Sequence, residues 1–282
     1  WRAMSPATRA RAVALLRAAP RDAGLAELRP SAGGPEARDR ALFARAAAWP
    51  DYVKSRRDSL LAARSRRYNH PTWHYLNQYW QPGAGGWPQV VTGPGLRTEP
   101  EDVVERIRRF SATVGDARRP AAERAVELAW LLHLVGDLHQ PLHAASRVDA
   151  ANPTGDRGGN RVRLGSTNLH AFWDDALDTG RPRRGRGNAP GPEARTAQAE
   201  RVAAALARRT PVDVVRASLA VTDPAVWAGE GLALAARAVY PGVTDGARIP
   251  EGYRARARQT AEPQAALAGY RLAALLERAL GR

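Results

Sequence analysis

Apolar residues recur at three- and four-residue spacing along most of the chain, and no run shows sustained two-residue alternation. That is the pattern of helices packed through one face, not of half-buried strands. The predicted fold class is all-α: one compact multi-helix domain over 1–282. Helices are expected over 6–18, 37–48, 51–66, 100–115, 120–139, 168–178, 194–208, 211–219, 223–239 and 251–280, with ends that such patterns fix only to a few residues. The most apolar is the central one. Its middle, Val126 to Val135, is apolar nearly all round, as expected of a helix buried on every side. Pro120 falls in its first turn and Pro141 just beyond its end, both usual proline positions at helix termini.

Helical periodicity is missing from Arg67–Thr98, Ser146–Thr167 and Thr179–Pro192, which are rich in Gly, Pro, Asn or Arg. Long irregular segments in a compact domain carry function or are disordered. The first two are expected to frame a site, and 179–192 is expected to be a mobile Arg/Gly/Pro loop.

Composition narrows the chemistry. The 282 residues contain no cysteine, which excludes disulfides, thiolate metal sites and cysteine nucleophiles. Any transition metal must be held by nitrogen and oxygen. No stretch is long and apolar enough to cross a membrane, and no stable membrane association is expected. The chain opens on Trp1 without an initiator Met or an apolar leader, so an export signal removed before Trp1 is expected, with a secreted or periplasmic location. A formal charge of +15 suits a polyanionic partner. Lys54 is the single lysine among 43 basic residues in an Ala-, Gly- and Pro-rich chain, so a biased codon supply accounts for the same charge equally well.

Six histidines are present, and His133, His139, His143 and His170 lie within or just after helices that also carry Asp137 and Asp174. His133 and Asp137 are four residues apart, as are His170 and Asp174. At that spacing two side chains project from one helical face and can hold one ion. Either pair alone would read first as a surface hydrogen bond. Pro141 should stop the central helix and turn His143 back towards the helix end where Asp137 points, making a chelating corner. An unpaired Asp137 on so apolar a helix would cost several kcal/mol, a cost that a metal removes. His139 reads as a group that orients a neighbour, not as a ligand. Upstream, Asp51 in Trp49-Pro50-Asp51-Tyr52-Val53-Lys54 is either a ligand or a helix-start residue answering the dipole. His74 in Trp73-His74-Tyr75-Leu76-Asn77 is either a ligand or an ordinary loop histidine.

Together with Asp-Arg-Gly-Gly-Asn at 156–160, Asn-Leu-His-x-x-Trp-Asp at 168–174, Trp227-Ala-Gly-Glu230 and Ala268 to Ala273, these segments resemble the S1/P1-type zinc-dependent single-strand nucleases, of mung bean nuclease type. They do so in order and spacing over almost the whole chain. The resemblance implies a helical fold with three zinc ions at the bottom of a cleft. It implies that Asp51, His74, His133 and Asp137 hold one zinc and that His143, His170 and Asp174 hold a second. The third would be held by Trp1, through its amine and carbonyl, by an early histidine and by Asp137 as a bridge. The early histidine has no counterpart: Pro6 stands near its place, and no histidine precedes His70. The resemblance further implies that Asp51 orients the attacking water and Lys54 neutralises phosphate charge. It also implies that Tyr75 stacks on a base while Asn77 bonds its edge, with packing as the alternative for either.

The activity so implied is endonucleolytic hydrolysis of single-stranded DNA and RNA by a monomer, giving 5′-phosphate products, with 3′-nucleotidase activity as an associated capacity. Two alternatives stand beside it. A phospholipase C-like enzyme shares the fold and the Trp start, but its last ligand is typically Glu where this chain has Asp174. A non-catalytic binding protein of the same fold is motivated by Pro6.

Overall fold

The computed structural model describes residues 1–177 and 191–281, so the loop expected at 179–192 lies outside the described residues except for its last two positions. In chain order the helices are α1 Pro6–Arg17, α2 Pro35–Tyr52, α3 Ser59–Tyr68, α4 Val103–Thr113, α5 Ala121–Leu138, α6 Leu169–Asp174, α7 Pro192–Arg209, α8 Arg216–Leu219, α9 Pro224–Leu234 and α10 Tyr253–Leu280. The strands are β1 Tyr79–Pro82, β2 Pro88–Val90, β3 Ser146–Arg147, β4 Arg163–Leu164 and β5 Thr167–Asn168. The class is all-α with two minor sheets. Strands of two to four residues are too short for alternation to register, which is why the sequence pattern did not predict them.

Local chemistry sets the helix starts. Ser5 caps α1, its Oγ accepting from Thr8 N at 3.2 Å, and Pro6 follows in the first turn. Asp58 caps α3 through Leu61 N at 2.8 Å, and Asn168 caps α6 through Ala171 N at 2.8 Å. Each cap satisfies one amide hydrogen that the helix cannot. The break expected between Ala48 and Asp51 does not occur. Instead α2 runs through Pro50 and ends at Tyr52, because a proline this close to a helix end forfeits one hydrogen bond without having to carry further turns. The expected helix over 51–66 is therefore the end of α2 plus α3. Likewise 211–219 divides into a 3₁₀ turn Val212–Val215 and α8, and 223–239 into α9 and a π-helical turn Ala235–Val239.

The chain forms two compact units. One comprises Trp1–Trp73, Glu105–Gly136 and Gly269–Arg282. Its core holds Leu16, Leu42, Trp49, Ile107, Leu128, Trp130, Leu131 and Leu134, all nearly or fully buried. Trp130 meets Trp49 and Trp73 edge-on, with centroids 6.5 and 4.9 Å away, the arrangement that ring quadrupoles favour. The other comprises His74–Val104 and Asp137–Ala268. Its core gathers Trp80, Leu142, Leu164, Leu169, Phe172, Trp173, Leu232, Val239, Tyr240 and Tyr253. There β1 pairs antiparallel with β2 and parallel with β3, joining Tyr79 to Ser146 and Trp80 to Arg147. Beyond α5, Pro141–Ala144 forms a single 3₁₀ turn, against which α9 packs through Gly231. A Cβ there would lie 3.1 Å from that of Ala144. Among the described residues no helix is long and apolar enough to cross a membrane.

Candidate metal centre

Asp51, Asp137 and Asp174 share one placement. Asp51 is the penultimate residue of α2, Asp137 the penultimate residue of α5 and Asp174 the last of α6. A helix ends in unpaired carbonyls with a negative partial charge, so an anion there is disfavoured and a cation favoured, typically by about 0.3–1 kcal/mol. For Asp51 this corrects the helix-start reading: the dipole opposes its charge.

In the first unit two nitrogen-bearing side chains stand beside Asp51. Lys54 Nζ lies 2.6 Å from Asp51 Oδ1, and His133 Nε2 lies 4.0 Å from the same atom. The His133 ring is fixed from behind, with Nδ1 donating to the Ala47 carbonyl of α2 at 2.8 Å. Trp1 is packed edge-on against Phe43, centroids 5.5 Å apart. Its carbonyl accepts from Arg9 Nε at 2.9 Å and from Met4 N at 3.2 Å. Pro6, at the start of α1, brings no donor atom.

The second unit holds a continuous series. His74 Nδ1 is 2.8 Å from Asp137 Oδ2, and His143 Nδ1 is 3.8 Å from that oxygen. His143 Nε2 and His170 Nε2 each lie 3.8 Å from Asp174 Oδ1. Asp137 thus faces His74 on one side and His143 on the other. Burial opposes a charge on His143, yet the carboxylates of Asp137 and Asp174 and the His74 carbonyl outweigh it, and its pKa is pushed up to about 9. Burial, reinforced by the neighbouring His143, holds His170 below its ordinary value. Asp174 resists its own burial because His143, His170 and Gln140 keep its carboxyl well below the usual range. One positive charge is strongly favoured here, and a second imidazolium is not.

Whether these residues fit a metal is decided by their ring nitrogens. A carbonyl oxygen can only accept, so each Nδ1 that meets one must carry the hydrogen. This applies to His133 on Ala47, to His143 on His74 at 2.7 Å and to His170 on Gly158 at 2.8 Å. In each neutral ring the lone pair is then on Nε2, the atom turned to a carboxylate. This is the usual second hydrogen bond of a metal-binding histidine. Two atoms, each about 2.0 Å from a tetrahedral zinc, lie about 3.3 Å apart. The two imidazole–carboxylate contacts at 3.8 Å need a shift of about half an ångström each to reach that spacing, and one donor atom from each of His143, His170 and Asp174 falls within 4.8 Å of the others. The donors fit a nitrogen- and oxygen-liganded divalent metal.

The remaining expected residues lie nearby in the chain. Tyr75 and Asn77 are half-buried in the segment between the Pro71–His74 turn and β1, with the Tyr75 carbonyl accepting from Val103 N at 3.3 Å. His139 is buried against Trp227, ring centroids 5.5 Å apart. Sequence reasoning missed Gln140. Its Oε1 accepts from Leu142 N at 2.6 Å, which turns its amide nitrogen onto Asp174 Oδ1 at 3.0 Å. It also missed the carbonyls of Ala47 and Gly158, which no residue type betrays, because any residue has one.

Two plant endonucleases are similar in sequence to parts of this chain. Endonuclease 3 of Arabidopsis thaliana is 41% identical over 54 residues, 18% of this chain and 16% of that protein. Endonuclease 2 of the same plant is 26% identical over 174 residues, 55% of this chain and 51% of that protein. The chain thus spans about half or less of the curated relatives it matches. The model of one family, described as S1/P1 Nuclease, matches residues 1–281, and with nearly every position covered, the chain belongs to the S1/P1 nuclease family.

Proposed function

We propose that this protein is a zinc-dependent endonuclease that hydrolyses phosphodiester bonds of single-stranded DNA and RNA, leaving 5′-phosphates and also acting on 3′-nucleotides. The observation that carries the reading is the repeated unit of a carboxylate at a helix C-terminus faced by an imidazole Nε2. It supports the reading because a cation bound there would also be favoured by the helix dipole. In this reading Asp51, His74, His133 and Asp137 hold one zinc, and His143, His170 and Asp174 hold a second. The donor set, all imidazole and carboxylate, is one that suits zinc. A third ion has weaker support, because Pro6 offers no ligand and the Trp1 carbonyl already accepts from Arg9.

Bound zinc would supply Lewis acidity to a phosphodiester and to water. The chain's own residues do the rest. Asp51 accepts a hydrogen bond from the attacking water and so orients it. Lys54, held at 2.6 Å by Asp51, presents an ammonium to the charge that builds on phosphate. Tyr75 offers a ring face to a base, and Asn77 offers an amide to its edge. A base within a duplex exposes no such face, so single strands are favoured.

The test compares hydrolysis of single-stranded DNA, single-stranded RNA, duplex DNA and phosphatidylcholine, before and after zinc is removed with a chelator. Cleavage of the single strands that is lost on chelation and restored by zinc is expected. Cleavage confined to the lipid would replace the reading with a phospholipase C-like one. No hydrolysis by zinc-loaded protein would leave only binding.

A further inference from the structure

Asp156 is fully buried, sits outside both ligand sets and has no part in the chemistry above. Its carboxylate is nevertheless well satisfied. Oδ1 accepts from Arg147 N at 2.9 Å, Oδ2 accepts from Tyr240 Oη at 2.6 Å, and the Gly159 amide donates to it as well. Tyr240 is itself 5% exposed, capped by the Arg147 guanidinium 4.6 Å from its ring. It stands at the end of the π-helical turn Ala235–Val239, its amide bonding the Ala235 carbonyl at 3.1 Å. Such turns recur at functional sites because the extra residue re-aims a side chain.

Directly after Asp156 come three left-handed residues in a row: Arg157 at φ 56°, Gly158 at φ 59° and Gly159 at φ 76°. Arg157 is the only non-glycine residue with positive φ among those described, and glycine is enforced next to it, since a Cβ on Gly158 would lie 2.3 Å from the Leu142 carbonyl oxygen. A turn of this kind persists only when its surroundings over-determine it. Its product is one carbonyl, that of Gly158, aimed at His170 Nδ1.

Stability alone does not account for the cluster. Burial pushes the Asp156 carboxyl up despite its hydrogen bonds, and apolar residues in place of buried charge are often as stable or more so. We propose that Tyr240 and Asp156 are positioning residues for the metal centre. They lock the left-handed turn so that the Gly158 carbonyl holds His170 in its Nδ1–H tautomer, with the Nε2 lone pair towards Asp174. The inference rests on the assignment of His170 as a zinc ligand.

Tyr240→Phe removes one hydroxyl and keeps the ring. In proton–nitrogen correlation spectra of the zinc-free full chain, native His170 is expected as one tautomer, protonated at Nδ1, and Tyr240→Phe is expected to show both. Titration with zinc should then find one ion bound about 10- to 100-fold more weakly than in the native protein, the range for lost outer hydrogen bonds. Tyr253→Phe is the control. It removes a hydroxyl from the same core, one that accepts from Trp173 Nε1 and donates to the Val239 carbonyl, not to Asp156; it therefore tests the turn without the carboxylate bond, and should lower the melting temperature without changing the His170 tautomer. Tyr240→Phe behaving like that control, less stable but with tautomer and zinc affinity unchanged, would overturn the proposal. If Tyr240→Phe does not fold, the native spectrum decides: a His170 ring protonated at Nε2, or mixed, overturns the proposal, and a single Nδ1–H form supports it. Should the native chain bind no zinc at all, the nuclease reading fails, while the tautomer comparison still tests the positioning role.

Discussion

At the residue scale, His133, His143 and His170 donate Nδ1 hydrogens to the carbonyls of Ala47, His74 and Gly158. The rings are oriented before any ion arrives, so the entropy of ordering a ligand is already met by folding. His133 is the most direct probe, because its ring lies at the edge of the first unit's core, against Trp130 with centroids 6.4 Å apart. His133→Ala should lower phosphodiesterase activity by at least about 100-fold, more than loss of an outer hydrogen bond costs, together with loss of one zinc. Cleavage at the native rate would mean that the ligand assignment is wrong. The two histidine–aspartate pairs were legible in the sequence because helical spacing makes them neighbours on one face. The alternatives for Asp51 could not be separated there. They turn on whether α2 stops before or after Pro50, and a boundary error of two residues reverses the sign of the dipole at a carboxylate.

At the scale of elements, α6 is six residues long yet carries both His170 and Asp174. So short a helix has little stability of its own, and its cap is a large share of it. Asn168→Ala removes the bond to Ala171 N and should cost about 1 kcal/mol of stability, read as a lower midpoint in urea. Zinc affinity should fall with it, and added zinc should restore the midpoint, since a ligand bound only by the folded form stabilises it. A midpoint equally low at saturating zinc would separate α6 from the metal centre. The Pro141–Ala144 turn is a comparable device, in which Pro141 ends α5 and Gln140 caps the turn through Leu142 N. The sequence predicts that turn through proline alone. The orientation of the Gln140 amide depends on which carboxylate stands opposite, a partner 34 residues further along the chain.

For the molecule as a whole, the family match covers residues 1–281, while the proposed ligand sets would account for two zinc ions. Elemental analysis after dialysis should therefore find two zinc ions per chain. Three would show that a donor other than a histidine near Pro6 completes the remaining site. The all-α class and the motifs were decided by the sequence itself, because periodicity and ligand spacing are local properties that a chain carries before it folds. So was the absence of thiolate chemistry. What only the tertiary structure decided are the groups that aim the ligands: the Ala47, His74 and Gly158 carbonyls, the Gln140 amide, and the Tyr240–Asp156 pair 84 residues apart. Backbone carbonyls are common to all residues, and long-range partners have no spacing rule. Their roles arise only when packing brings them to within hydrogen-bonding distance and excludes the water that would otherwise compete.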